Sequence, residues 1–234
     1  MEQAKREVAI WGDSLARGVV WNEQRNRHTL AARTAAEVAG ERLGVNVINR
    51  ARFGFTAPRG LQTLKKDLAE GFACDSAVLE FGGNDCNFDW AAISAEPEKQ
   101  HDPQTLPDAF TAALSQMIDR LKKVRIRPLL MTLPPIDAER YFRFLVGDRL
   151  NPASILKWLG DVQQIYRFQE LYSSLIEQVA RVKGCALLNV RRECLKNHRM
   201  STFLCADGLH LNENGQRYVG EMIAELIKQE HNGQ

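Results

Sequence analysis

Short apolar runs bounded by glycine, aspartate or asparagine alternate along the chain with longer segments in which apolar residues recur every three or four positions. This alternation is typical of a parallel sheet flanked by helices. The apolar runs predict five strands, at residues 8–11, 45–49, 76–81, 128–133 and 186–190. We therefore expect an α/β fold, a three-layer α/β/α sandwich whose ligands bind beyond the carboxyl ends of the strands.

Helical periodicity fills the segments between these runs. Residues 30–43 and 61–71 predict two helices, and three more are indicated by apolar faces. These faces comprise Phe110, Leu114, Met117, Ile118 and Leu121; Val162, Ile165, Phe168, Tyr172, Leu175, Ile176 and Val179; and Tyr218, Val219, Met222, Ile223, Leu226 and Ile227. We expect residues 1–234 to form a single domain, with two connections, at about residues 86–107 and 134–160, that are longer than such a fold needs.

The charge balance is close to neutral. Among 234 residues, 31 Lys and Arg face 29 Asp and Glu, which leaves a formal charge of +2. Nothing in this balance indicates a nucleic-acid partner or a membrane surface. A small-molecule ligand is therefore the expectation.

Cysteine usage and the amino terminus bear on the cellular compartment. The five cysteines, an odd number without a Cys-x-x-Cys pair, predict reduced thiols rather than a disulfide framework or a zinc ribbon: Cys74, Cys86, Cys185, Cys194 and Cys205. The first residues lack the uninterrupted apolar stretch of a signal peptide. No run reaches about 18 consecutive apolar residues. We expect a cytoplasmic protein without a membrane span.

A serine follows the first predicted strand, in Gly12-Asp13-Ser14-Leu15. A hydroxyl at the carboxyl end of a strand is open to a ligand, and N–H groups at a helix start can face an oxyanion. Ser14 is thus a candidate nucleophile. The alternative is that the Asp-Ser pair only caps a strand-to-helix turn.

Asp207 and His210 lie on one turn just before the last helix, for which Asn212 is a candidate N-cap. This spacing can hold a carboxylate against one imidazole nitrogen and leave the other free to take a proton. A loop histidine beside a capping aspartate is one alternative. A metal-dependent hydrolase that uses Asp207, His210 and Asp13 is another, although it lacks further ligands at regular spacing.

Glycine and asparagine follow the second and third strands. Gly54 lies in Arg50-Ala51-Arg52-Phe53-Gly54-Phe55, and Asn84 lies in Gly82-Gly83-Asn84-Asp85. Glycine lets the backbone approach a ligand closely, and the Asn amide is a neutral donor suited to a developing oxyanion. Ordinary turns would explain each motif alone. The parallel sheet, however, predicts that both loops meet the serine and the histidine at one edge.

Taken in order, these motifs resemble the blocks of the SGNH or GDSL-type hydrolase family of esterases and lipases, from Gly12 to His210. The resemblance implies a flavodoxin-like topology. It also implies Ser14 as nucleophile, with Asp207 and His210 as the supporting acid and base. Asp13 matches a family position that is structural rather than catalytic.

The same resemblance implies that Gly54 and Asn84 donate hydrogen bonds to the oxyanion together with the N–H of Ser14. It also implies a structural role for Asp85. Gly44 and Gly60 flank the same region, but Gly54 lies closest behind the second strand. The Gly-x-Ser-x-Gly motif of the other large α/β hydrolase class is absent from the sequence, because Leu15 and Ala16 follow the serine.

The expected activity is that of a serine esterase acting on a small acyl ester, such as an acetylated carbohydrate, with no cofactor. The alternatives are an acyl thioesterase or lysophospholipase of the same family, and a non-catalytic ligand-binding module of flavodoxin type. The long connections supply aromatic side chains for a lid or acyl pocket, or for a satellite core, and arginines that add positive charge. These are Phe88, Trp90, Tyr141, Phe142, Phe144 and Trp158, and Arg140, Arg143 and Arg149.

Overall fold

A parallel sheet forms the centre of the protein, seen in a computed structural model that describes residues 5–232. The strands of this region are β1 (Glu7–Gly12), β2 (Val19–Asn22), β3 (Arg27–Leu30), β4 (Asn46–Asn49), β5 (Ser76–Glu80), β6 (Arg127–Met131) and β7 (Ala186–Leu188). Five of them pair in the order β4-β1-β5-β6-β7, all in parallel. The predicted five-stranded parallel sheet is thus confirmed. β2 and β3 form a separate antiparallel hairpin.

The helices between the strands are short around the carboxyl edge and long on the two faces of the sheet. They are α1 (Ser14–Arg17), α2 (Ala35–Leu43), α3 (Ala57–Ala69), α4 (Trp90–Ala95), α5 (Pro107–Lys123), α6 (Ala138–Val146), α7 (Pro152–Leu159), α8 (Gln164–Lys183), α9 (Val190–Leu195) and α10 (Glu213–Asn232). A 3₁₀ turn occupies Met200–Phe203.

Each central strand sends alternate side chains into two apolar layers. On β1, Ala9 and Trp11 pack with residues of α3, α5 and α8, whereas Val8 and Ile10 pack with residues of α2 and α10. Because side chains alternate along a strand, a strand buried on both faces reads as a continuous apolar run. This explains why short unbroken runs marked the strands, and it confirms the three-layer α/β/α sandwich.

The position of β1 decides where a ligand can bind. β1 lies between β4 and β5. The connection through α2 packs on one face of the sheet, and the connection through α3 packs on the other. The chain therefore leaves the sheet in opposite directions on either side of β1, which opens a crevice at the carboxyl ends of the strands. Helix α1 begins with Ser14 at this crevice.

The helix predicted at residues 30–43 was wrong at its start. Leu30 belongs to β3, which pairs with Val19 of β2, and α2 begins only at Ala35. The boundary is set by a capping box, because Thr34 accepts the N–H of Glu37 while the Glu37 side chain accepts the N–H of Thr34. The β2–β3 hairpin was not predicted, because each strand has only four residues and none of the residues of β3 is buried.

Other boundaries differ by a few residues for local reasons. The strand predicted at 186–190 ends at Leu188, because Asn189 caps α9 by accepting the N–H of Arg192. The runs at 76–81 and 128–133 end at Glu80 and Met131. The helix predicted at 61–71 begins earlier, at Ala57, with a proline in its first turn.

The two long connections fold over each other as a satellite core. Its buried members are Phe88, Trp90, Ile93, Ala138, Val146, Ile155, Leu159 and Ile165, with Tyr141, Phe142 and Trp158 packed against them. Most of these aromatic residues therefore pack in a satellite core. Phe144 lies apart from it, against the hairpin, where its ring meets those of Trp21 and His28.

Two of the candidate arginines have structural contacts. Arg140 donates to the backbone carbonyls of Ser201, Leu204 and Cys205, and so ties α6 to the segment that leads to Asp207. Arg143 pairs with Glu139 on the exposed face of α6. Positive charge near the site is thus partly engaged in holding the fold.

The five cysteines are free thiols, as predicted. None of the helices between residues 5 and 232 combines the length and the apolar character that crossing a bilayer requires. The cytoplasmic location stays a prediction.

Candidate active site

Ser14 is the first residue of α1, immediately beyond β1. The Asp13 side chain caps this short helix by accepting the N–H of Leu15 at 2.9 Å. Gly12 is required before it, because a Cβ there would lie 2.7 Å from the carbonyl oxygen of Glu80 on the neighbouring strand. Ser14 is buried, with 7% of its surface exposed. The sharp turn therefore presents the hydroxyl at the switch point of the sheet.

Ser14, His210 and Asp207 form an unbroken chain of hydrogen bonds. The Ser14 Oγ lies 2.9 Å from His210 Nε2, and His210 Nδ1 lies 2.7 Å from Asp207 Oδ2. With the proton of the imidazole on Nδ1, Nε2 is free to accept the serine proton. All three side chains are buried. The structure thus brings together residues that are 196 positions apart.

The turn that carries Asp207 and His210 is fixed by its own backbone. Asp207 Oδ1 accepts the N–H of Leu209 at 2.9 Å and of His210 at 3.0 Å. Burial alone would raise the pKa of Asp207, but the hydrogen bond and charge of His210, with these two N–H groups, hold the pKa below its usual value. Asn212 caps α10 as predicted, since its side chain accepts the N–H of Gly215.

The loops after β4 and β5 meet beside Ser14. Asn84 Nδ2 donates to the Phe55 carbonyl at 3.1 Å and to Asp13 Oδ2 at 3.2 Å. Gly54 has a φ of +72°, a left-handed conformation that favours glycine. Asn84 and the Gly54–Phe55 turn therefore adjoin the cap of the serine helix. Both hydrogens of the amide are engaged, so binding an oxyanion requires Asn84 to release one of them.

The two glycines that flank this region, Gly44 and Gly60, have other roles. Gly44 ends α2. Gly60 lies within α3, where a Cβ would be 2.1 Å from the Phe81 ring. Their roles are in helix termination and close packing.

Glu80, which sequence reasoning did not single out, lies directly beneath the serine turn. It is fully buried at the end of β5, and its Oε2 accepts the N–H of Ala16 at 3.2 Å and of Asp13 at 3.4 Å. Burial and the charge of Asp13 raise the pKa of Glu80 well above its usual value. The sequence did carry a signal, because a glutamate ends an otherwise apolar run.

Asp13 and Glu80 thus form a buried carboxyl pair. Burial also raises the pKa of Asp13, although the N–H of Leu15 and the charge of His210 oppose this shift. Two negative charges on neighbouring carboxyl groups in an apolar interior would repel each other strongly. We infer that Glu80 holds the proton and that Asp13 carries the charge.

Asp85 lies beside Asn84 and holds the start of α3. Its carboxylate is buried and accepts the N–H of Ala57 at 2.9 and 3.1 Å, at the start of α3. Burial raises the pKa of Asp85 to about 7. It therefore anchors α3 to the loop that carries Asn84.

His28 also reaches the site, and no sequence signal marked it. Its ligand atom lies within 4.8 Å of those of Asp207 and His210. These residue types can bind zinc. The metal-hydrolase alternative named Asp13 instead, but the Asp13 carboxylate is engaged with Leu15 and Asn84. In the group of His28, Asp207 and His210, the Asp207 carboxylate likewise accepts hydrogen bonds, here from the backbone and ring of His210.

A cavity of about 50 Å³ opens beside Ser14 and Asn84. The long connections supply most of its apolar wall, which includes Phe88, Trp90, Ile136, Tyr141, Ile165 and Phe168. Several of these side chains also belong to the satellite core. The same aromatic residues therefore support the fold and border the site.

Comparison with known proteins gives one family. A model of the GDSL-like lipase/acylhydrolase family matches residues 10–218. Among curated proteins, the chain is similar to the isoamyl acetate-hydrolyzing esterase 1 homolog of Rattus norvegicus, with 26% identity over 182 residues, covering 74% of this chain and 65% of the relative. The chain thus spans just under two thirds of that relative's length.

Solved structures share the fold at low sequence identity. The lipase/acylhydrolase from Enterococcus faecalis superposes with a TM-score of 0.65, at 20% identity and with 96% of each chain covered. An acetyl xylan esterase superposes with a TM-score of 0.59, at 20% identity, with 94% of this chain and 99% of the other covered. The flavodoxin-like topology of this hydrolase fold is therefore confirmed.

The raised pKa of Glu80 predicts how stability depends on pH. A carboxyl whose pKa is higher in the folded than in the unfolded state contributes stability that is complete below about pH 4.5 and is lost as the pH rises through the folded-state pKa. Glu80→Gln cannot ionise, so its free energy of unfolding should fall less steeply above pH 4.5 than that of the wild type. Urea unfolding between pH 5 and 9 measures both slopes.

The matched control is Glu70→Gln, which removes an exposed glutamate at the end of α3. It should leave the slope unchanged. Parallel stability curves for Glu80→Gln and the wild type would contradict a protonated Glu80.

Proposed function

Because the chain belongs to the GDSL-like lipase/acylhydrolase family, a family of carboxylic ester hydrolases, we propose that it cleaves esters of short acyl groups through an acyl-serine intermediate on Ser14. The observation that carries this proposal is the hydrogen-bond chain from Ser14 Oγ to His210 Nε2 and from His210 Nδ1 to Asp207. Such a chain supplies a nucleophile, its general base and the group that orients the base.

The reaction proceeds in two steps. Ser14 Oγ attacks the ester carbonyl carbon while His210 Nε2 takes the serine proton, and the bond to the alcohol breaks as His210 returns that proton to the leaving oxygen. In the second step, water attacks the acyl carbon while His210 Nε2 takes a water proton, and the acyl-serine bond breaks as His210 returns that proton to Ser14 Oγ and the carboxylic acid leaves. Asp207 stabilises the imidazolium that forms in each step.

The oxyanion of the tetrahedral intermediate is bound by the N–H groups of Ser14 and Gly54 and by the Asn84 amide. Their location supports this role, because the Gly54–Phe55 turn and Asn84 both lie next to Asp13, the residue that caps the helix of Ser14. Asn84 frees one N–H for the oxyanion by releasing Asp13 or Phe55. The charge on the oxyanion exceeds that on the ester carbonyl, so this bond strengthens as the transition state forms.

The cavity beside Ser14 supports a short acyl group. Its volume of about 50 Å³ is small, and apolar and aromatic side chains form much of its wall. An acetyl or propanoyl chain fits this space better than the long chain of a lysophospholipid. The names of the curated relative and of one structural neighbour also refer to acetyl esters.

The alcohol side of the ester faces a different surface. The ring of Phe53, which is 59% exposed, lies 6.5 Å from the His210 ring and nearly parallel to it. Phe144, 36% exposed, lies beyond His28 on the same rim. Phenyl rings beside the leaving oxygen offer an apolar surface against which the alcohol group can pack.

A fluorophosphonate probe tests the nucleophile directly. Because the probe reacts with an activated serine whatever the natural ester, the wild type should be labelled at Ser14, as mapped by mass spectrometry. Ser14→Ala should abolish labelling, and His210→Ala should slow it by on the order of 10²–10⁴-fold through loss of the base.

Ser174→Ala, which removes an exposed hydroxyl on α8, is the control and should be labelled like the wild type. Failure of the folded wild type to react with the probe would favour the non-catalytic binding module instead.

Asn84→Ala tests the oxyanion role. Loss of one donor should lower kcat by about 10²–10³-fold while KM changes much less, because the donor acts mainly in the transition state. Steady-state kinetics with an acetyl ester measure both constants. Asn87→Ala, which removes another amide that lines the cavity, should lower kcat far less. A raised KM with wild-type kcat in Asn84→Ala would reject the role.

Ile165→Ala tests the acyl pocket. Ile165 lines the cavity, so its truncation should raise kcat/KM for butanoyl relative to acetyl esters by about tenfold. Ile155→Ala removes another buried isoleucine of the same satellite core, one that does not line the cavity, and it should leave this ratio unchanged. An equal change of the ratio in both variants would show that the cavity does not select the acyl chain.

A further inference from the structure

The β2–β3 hairpin places a second imidazole on the carboxylate of Asp207. His28 lies on β3, directly across from Trp21 of β2. Its Nε2 is 3.4 Å from Asp207 Oδ2, the same oxygen that accepts His210 Nδ1 at 2.7 Å. One buried oxygen is therefore shared by two histidines from distant parts of the chain.

This contact completes the hydrogen bonding of Asp207. The carboxylate is 1% exposed, and its two oxygens together accept about four hydrogen bonds. Leu209 N–H and His210 N–H occupy Oδ1, and His210 Nδ1 occupies one position on Oδ2. The fourth position faces His28. An unfilled position on a buried carboxylate would be costly.

Aromatic rings set the orientation of His28. Its ring meets those of Trp21 at 4.9 Å, Phe53 at 5.4 Å and Phe144 at 6.5 Å, on β2, on the loop after β4 and on α6. These three neighbours carry no charge. The titratable groups that face His28 are Asp207 and His210, whose ring lies 4.8 Å away.

The protonation state of His28 follows from these surroundings. Burial and the charge of His210 lower the pKa of His28, against the opposing effect of Asp207. At neutral pH the ring is therefore uncharged and has one N–H to donate. Among residues 5–232, the carboxylate that faces the ring is that of Asp207, at Nε2, which places the hydrogen there.

We propose that His28 is a positioning residue: it donates Nε2–H to Asp207 and so holds the carboxylate that orients His210. The inference rests on the function proposed above. By remaining neutral, His28 adds a hydrogen bond to Asp207 without adding a positive charge beside the imidazolium that His210 becomes.

Two variants separate the hydrogen bond from the packing. His28→Phe keeps a ring against Trp21 and Phe53 but has no donor. His28→Gln supplies an amide Nε2–H at a similar reach from the backbone. The readout is the second-order rate constant of fluorophosphonate labelling, because it requires no knowledge of the natural ester.

His28→Phe should be labelled about tenfold more slowly than the wild type, which is the lower end of the effect of a hydrogen bond to a charged group. His28→Gln should recover most of this loss. The acid limb of the labelling rate should also move to higher pH in His28→Phe, because Asp207 with one donor fewer attracts the imidazolium more strongly. A role in folding alone would not move this limb.

Thr29→Val, a change at the neighbouring position of β3, is the control and should match the wild type in rate and pH profile. Wild-type rate and acid limb in His28→Phe would overturn the proposal, as would equal loss of rate in the Phe and Gln variants. Absence of labelling in the wild type would instead refute the proposed function itself.

Discussion

The rest of the site depends on the hydrogen bonds to the buried carboxylate of Asp207, because a charge removed from water must be surrounded by hydrogen-bond donors. Two donors come from its own turn and one from the His210 ring. The same ring reaches Ser14 at the end of β1. The need of Asp207 for hydrogen-bond donors thus links the loop before α10 to the first strand through His210 and Ser14, and to the hairpin through His28.

A second buried acid acts from beneath the serine turn. Glu80 accepts backbone N–H groups on both sides of Ser14, and Asp13 links that turn to Asn84. The proton that we infer on Glu80 limits the pair to one negative charge. This matters for the proposed chemistry, because each further negative charge would oppose an oxyanion formed a short distance above.

The long connections and the hairpin give the site its two unlike sides. The satellite core closes a small cavity next to Ser14, with Ile165 in its wall. The hairpin and the loop after β4 form an aromatic rim with Phe53 and His28 on the other side. The loops at the carboxyl edge of the sheet carry the proposed reacting groups. The long connections and the hairpin border the space that an acyl group and an alcohol would occupy.

Periodicity and local motifs were enough to predict the five strands, the layer order and the pairing of Asp207 with His210, because each depends on residues close in sequence. The hairpin, the small cavity beside Ser14 and the positions of His28 and Glu80 were not predictable in this way. His28 meets Asp207 across 179 positions, and Glu80 meets the serine turn across 64. Such contacts arise only when sheet order and loop packing bring distant segments together, so tertiary structure alone decided them.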